Sequence, residues 1–192
     1  LTNKEVLIDS SKKPGWIVNN ARDLKSSGID VFLIYLSRNG RAVINSYFRK
    51  YPQRGLNTIA EDWVKKIAYI NKTYNKWDAE KVCISYDRLS KQPYKTIKNI
   101  CEEVGIKFES NMMKFWEHDH HPVNGNAGTK SLVLKFKESK KSKVISIDKK
   151  KYYSNHDLGI RYDNRWKREL SRKELNKIES IIGHLNDDIK ET

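Results

Sequence analysis

A short apolar run, a tight polar turn and an amphipathic stretch follow one another between Asp30 and Lys50, and few folds accommodate that order. Asp30 to Leu36 is rich in Val, Ile and Phe, as a strand buried on both faces of a sheet would be. Ala42 to Lys50 reads as helix, and Asn39-Gly40 makes the sharp turn between them. The order predicts an α/β architecture, a parallel sheet flanked by helices. In such sheets the carboxyl ends of strands and the amino ends of the following helices open onto one crevice, with unpaired N–H groups pointing outward. That crevice suits an anion. Arg38 stands at the strand end and Ser46 eight positions further on, about one and a half helical turns into the helix, so both reach one phosphate. Arginine brings a planar fork and serine a short donor.

These residues resemble the 3′-phosphate-binding motif of sulfotransferases that use 3′-phosphoadenosine-5′-phosphosulfate (PAPS). That motif is a hydrophobic strand, an Arg, a tight turn, a second Arg, two or three small apolar residues and a Ser. The resemblance implies that Arg38 and Ser46 ligate the phosphate and that Arg41 is the second arginine. The family usually has Asp-Pro or Asn-Pro in the turn. Asn39-Gly40 here changes the turn but not the ligands.

Three more stretches resemble the same family in the same order. Asp9-Ser10-Ser11-Lys12-Lys13-Pro14 is similar to the Asp-Ser-Ser-Lys turn of bacterial members, and by topology its strand end faces the crevice of Arg38. The resemblance implies Asp9 as the base that takes the acceptor's proton. It implies Lys12 as the cation that neutralises charge on the departing phosphosulfate bridge. The strand Lys81–Tyr86, its exit Asp87-Arg88-Leu89, Pro93 and a helix closed by Gly105 resemble the family's "strand, Tyr-Glu-Asp-Leu, Pro, helix, Gly" segment. Asp87 takes the Glu position, whose role there is chiefly structural. His121, Gly125 and Asn126 match a His-x-x-x-Gly-Asn signature, and Lys130 falls where a basic residue, more commonly Arg, contacts the 3′-phosphate side of the nucleotide. The family's first strand and the Gly-rich loop for the 5′-phosphosulfate are expected before Leu1. The implied fold is thus a partial P-loop nucleotide-kinase-like sulfotransferase fold.

Length and charge agree with one such domain over residues 1–192, since a chain of this size builds one substantial core and is short for two. Thirty-eight Lys and Arg against 24 Asp and Glu give a net charge of +14, which predicts an anionic partner. Cys83 falls in a strand and Cys101 on a helix face, so neither a disulfide framework nor a Cys-based zinc site is suggested, and a reducing, cytoplasmic compartment fits. No run approaches the ~20 apolar residues of a membrane span, and the first residues do not resemble a signal peptide. The chain opens almost at once on the strand Glu5–Asp9, which reads as an amino-terminally truncated sequence whose polypeptide alone is inactive.

The remaining elements follow from periodicity. Val6 to Asp9 reads as a buried strand, and Trp16, Ile17, Ala21 and Leu24 recur at helical spacing from Pro14 to the break at Ser27-Gly28, which completes a β-α-β unit with the central strand. Thr58 and Glu61 form a capping box ahead of the stripe Ile59, Trp63, Ile67, Ile70, Tyr74. Trp63 reads as core, with proximity to the nucleotide as the alternative. The run His118-Asp119-His120-His121 invites a metal reading, but no fitting partner follows, and no metal is expected. The lysine-rich stretch 134–155 reads as a solvated loop or hairpin insertion, or as an electrostatic collar for an acidic acceptor. Ser171 and Glu174 make a second capping box before the stripe Leu175, Ile178, Ile182, Leu185, Ile189.

The reaction implied is transfer of a sulfuryl group from PAPS to a hydroxyl or amine of a small-molecule or glycan acceptor, leaving adenosine 3′,5′-bisphosphate. Two alternatives stand beside it. A phosphate-loop small-molecule kinase shares the fold and the anion logic. A basic nucleic-acid-binding module rests on net charge and Lys-rich loops, and it predicts salt-steep binding to any DNA or RNA.

Overall fold

Two five-residue strands, β1 (Leu33–Ser37) and β2 (Lys81–Ser85), pair in parallel in the computed structural model, which describes residues 6–118, 132–137 and 158–186. Leu33 stands opposite Lys81 and Ser37 opposite Ser85. The helices in chain order are α1 (Pro14–Ser26), α2 (Gly40–Lys50), α3 (Leu56–Asn75), α4 (Tyr86–Lys91), α5 (Pro93–Val104), α6 (Trp166–Glu169) and α7 (Arg172–Ile182). A further helical segment spans 132–137. The chain divides into two compact units, one of Leu1–Tyr86 with Asp163–Thr192 and one of Asp87–Tyr162. None of the described helices is long and apolar enough to cross a membrane.

In the first unit, parallel pairing requires a crossover between the strands, and α2 and α3 supply it. α3 covers one face of the sheet. The Tyr35 hydroxyl donates to Asn71 Oδ1 at 3.3 Å and its ring lies 5.5 Å from that of Tyr74. Burial, with the nearby Cys83 adding to it, pushes the Tyr35 hydroxyl up to about 12. On the opposite face Ile34 and Leu36 remain 46% and 47% exposed. The strand expected to be buried on both faces is therefore half-buried on one and exposed on the other.

The expected strand Val6–Asp9 does not form: these residues are exposed and irregular, Leu7 to 89%. Strand geometry persists only where a neighbour satisfies the ladder, and β1 and β2 pair with each other alone among the described residues. The β-α-β unit through α1 is accordingly absent there, and the parallel crossover runs from β1 to β2. α1 does begin at Pro14, and its chain breaks at Gly28 with φ 74°. Of its expected apolar stripe Ala21 is buried, while Trp16 and Leu24 are 48% and 36% exposed.

The core lies where α2, α3 and α7 meet. Ile44, Ile59, Ala60, Trp63, Leu170, Ile178 and Ile182 are all buried there, which places Trp63 in the core. α7 is set by its capping box: Ser171 Oγ accepts the Glu174 N–H and the Glu174 carboxylate accepts the Ser171 N–H. The box expected at Thr58 and Glu61 is not used. α3 starts two residues earlier, at Leu56, where Gly55 (φ 74°) ends the turn Pro52–Arg54, so Thr58 already lies inside the first turn.

The second unit is pinned by Asp87, whose Oδ2 accepts the Tyr162 hydroxyl at 2.9 Å, with Lys91 Nζ 4.5 Å from the centre of the same ring. Gly105 closes α5 in the left-handed conformation at φ 73°. Cys101 is buried on α5 with its Sγ 3.8 Å from Met112 Sδ, and desolvation pushes its thiol up. Residues 134–137, expected as the start of a loop or hairpin, are helical, and 138–157 lie outside the described residues.

Ile178, fully buried, and Ile34, near half exposed, give a direct comparison of these two environments. Ile178→Ala is expected to lower unfolding free energy by about 2–5 kcal/mol in urea titration, and Ile34→Ala by less than about 1 kcal/mol.

Candidate functional site

Arg38 is the first residue beyond β1, at the carboxyl end of the sheet. The next residue, Asn39, caps α2 by accepting the Arg41 N–H on its side chain at 3.0 Å. Gly40 is buried as the first helical residue, so the turn is made by the cap rather than by a left-handed glycine.

The Arg38 guanidinium is held from two sides. Its carbon lies 4.5 Å from the centre of the Tyr86 ring, and Nη2 donates to Asp163 Oδ2 at 3.2 Å. Asp163 is itself gripped by Arg165, whose Nε and Nη2 reach Oδ1 and Oδ2 at 2.7 Å each. This bidentate pair holds the Asp163 carboxyl down at about 2, chiefly through the Arg165 side-chain hydrogen bonds, with its backbone N–H and the Arg38 charge contributing. Two guanidiniums sharing one carboxylate leave the cluster with one net positive charge. The side chain of Arg38 is 29% exposed, against 11% for Arg165. Arg38 Nε is buried without a hydrogen-bond partner among the described residues.

The other expected donor-site residues are distributed as follows. Ser46 sits half-buried in the second turn of α2. Arg41 is engaged with protein: its Nε donates to Glu179 Oε1 at 2.9 Å and its guanidinium lies 5.7 Å from the Trp166 ring centre. Beside it, buried Asn45 donates to Glu169 Oε2 at 2.6 Å, and Arg49 reaches Oε1 at 3.3 Å. Asp9 and Lys12 are exposed ahead of α1, where Asp9 Oδ1 accepts the Ser11 N–H at 2.8 Å. Neither forms a hydrogen bond or ion pair with Arg38 or Ser46. Asn126 and Lys130, with His121 and Gly125, lie outside the described residues. Of the histidine run, His118 is described; it is exposed, with Nε2 3.4 Å from the Asn111 carbonyl.

Sequence reading missed Tyr86, Asp163 and Arg165. Asp163 and Arg165 stand in the closing segment, 125 positions or more from Arg38, and no periodicity or spacing signals a pairing over that distance. A cation fixed at a strand end, with most of its five N–H donors uncommitted among the described residues, is chemically suited to hold an oxyanion such as a phosphate ester.

No protein-family model matches the chain, and no curated protein matches it. Among solved structures the chain is similar to the sulfotransferase domain from the curacin biosynthetic pathway, at 20% identity and a TM-score of 0.46. The match covers 77% of this chain and 51% of that one, so the chain spans about half the length of that structure.

The Asp163 carboxyl lies below its ordinary 3.8 in the folded chain, so its stabilisation is complete above about pH 4 and is lost as pH falls toward about 2. Asp163→Asn is expected to cost about 2 kcal/mol at neutral pH and to flatten the fall in stability between those values, as read by denaturant titrations at stepped pH.

Proposed function

We propose that the chain is part of a protein that transfers a sulfuryl group from PAPS to a hydroxyl or amine, with Arg38 and Ser46 holding the 3′-phosphate of the nucleotide. The observation that carries the reading is the state of Arg38. It is oriented by Tyr86 and Asp163, yet among the described residues its buried Nε has no partner and Nη2 has a single 3.2 Å contact. An orphaned buried donor is a cost to the fold, and that cost is accounted for where the group is held ready for a ligand. Asp163 serves here as a positioning residue. Because Arg165 occupies both carboxylate oxygens at 2.7 Å, the longer 3.2 Å contact leaves Arg38 only partly neutralised.

In this reading Ser46 adds a hydroxyl from α2. Arg41 supports the site by fixing α2 through Glu179. In the transfer, the acceptor oxygen forms a bond to sulfur as the bond between sulfur and the bridging phosphate oxygen breaks. Asp9 takes the acceptor proton and Lys12 balances charge on the departing phosphate, leaving adenosine 3′,5′-bisphosphate. Positioning and cations suffice for such a step, and no metal is invoked.

Calorimetry of the full chain with adenosine 3′,5′-bisphosphate tests the assignment. Arg38→Ala is expected to weaken binding about tenfold to a hundredfold, the worth of a charge-assisted contact, while Lys65→Ala on the exposed side of α3 changes it less than about twofold. Equal effects of the two substitutions, with a steep salt dependence and comparable affinity for duplex DNA, would replace this reading with the nucleic-acid one. Tighter binding of ATP than of the bisphosphate would replace it with the kinase reading.

A further inference from the structure

The end of the sheet opposite Arg38 carries a second cationic site. A cavity of about 410 Å³ lies between the second half of α1 and the last turns of α3, within the size range of small-ligand pockets. Its walls mix two kinds of group. Val18, Ala21, Tyr69 and Trp77 are apolar or aromatic, and Arg22, Lys25, Lys72 and Lys76 bring four cations. One carboxylate stands against them: Asp78 accepts from Lys25 Nζ at 2.8 Å, and this contact lowers its pKa. The cavity lining thus keeps a surplus of three positive charges.

Trp77 supplies the second, independent observation. It is 9% exposed, lines the cavity, and its indole Nε1–H is buried with no acceptor among the described residues. Trp77 is otherwise well anchored: its carbonyl accepts from Lys81 Nζ at 2.9 Å, and Lys25 Nζ lies 5.8 Å from its ring centre. A buried indole N–H normally finds a partner, so a site that surrounds one with cations matches a ligand that brings oxygen acceptors and negative charge.

We propose that this α1/α3 cavity binds a small phosphate or sulfate monoester with a ring-sized body, the ester oxygens meeting Arg22, Lys72, Lys76 and the Trp77 indole N–H. Four cations gathered around one half-open cavity suit one compact polyanion. A nucleic acid instead needs phosphate contacts spread along a line. The site is separate from the phosphate site proposed at Arg38, so either can fail without the other.

Amide and indole NMR of the full chain provides the test, with glucose 6-phosphate and glucose 6-sulfate as probes and glucose, inorganic phosphate and duplex DNA as comparisons. The chain has five tryptophans, and Trp77→Phe, or sequential assignment should that variant unfold, identifies the Trp77 indole signal. Saturable movement of that signal with one or both esters is expected, and the ester that binds names the source of the anion. Lys72→Gln/Lys76→Gln, both at exposed positions, should weaken binding about tenfold or more. Asp78→Asn, which frees Lys25, should tighten it about two- to fivefold, and Lys65→Gln should leave it unchanged. The proposal is overturned if the indole signal stays fixed, if glucose or inorganic phosphate moves it as strongly as the esters, or if duplex DNA alone does so.

Discussion

One carboxylate shared by two guanidiniums holds the carboxyl end of β1 in place. An arginine as enclosed as Arg38 is expensive to desolvate without a counter-charge. Asp163 provides it, and Arg165 in turn keeps Asp163 ionised and oriented. Because Asp163 leads directly into α6 and α7, the same contact links the strand end to the segment that closes the core. The order of strength within the triad decides its character. Arg165 takes the carboxylate in two short, aligned hydrogen bonds, and Arg38 receives a single longer one, so the residual charge sits on the more exposed of the two arginines.

The acids of α6 and α7 repeat this arrangement along α2. Glu169 meets Asn45 and Arg49, and Glu179 meets Arg41, so the cations of α2 facing the closing helices are matched one after another. Pairs as exposed as Arg49–Glu169 contribute at most about 1 kcal/mol each, and their effect is to orient rather than to hold. Holding is done by Ile178 and Ile182, which are essentially removed from water against Ile44, Ile59 and Trp63, each side chain contributing about 1.5–3 kcal/mol by transfer. α7 therefore docks by its apolar stripe and is rotated into register by its charges.

Local signals in the sequence were legible where a local cause acts. Pro14 opens α1, Ser171 and Glu174 close a capping box, Gly105 ends α5, and the apolar run before Arg38 is a strand parallel to the one at Lys81. Where a tertiary partner decides, the reading failed. Val6–Asp9 has strand composition but no ladder partner, and Thr58–Glu61 has the letters of a capping box that Gly55 pre-empts by starting the helix sooner. Of the candidate site, Arg38 and Ser46 were named from a strand-turn-helix pattern. Tyr86, Asp163 and Arg165 were not, because contacts over such separations leave no trace in spacing or periodicity.

Two groups of cations among the described residues, the Arg38 cluster and the lining of the α1/α3 cavity, are set apart by the sheet. β1 runs five residues from the α1/α3 side to Arg38, about 15 Å, more than a Debye length in physiological salt. Cations at the two ends are thus largely screened from one another. At the carboxyl end, acids of the closing segment neutralise α2 and leave one guanidinium partly free. At the amino end Asp78 engages Lys25, while Arg22, Lys72 and Lys76 ring the cavity beside an unpartnered indole N–H. A protein built for nonspecific nucleic-acid binding gains from cations arrayed along one face. The separation of the two proposed sites by the length of the sheet matches instead the compact anions that both proposals call for.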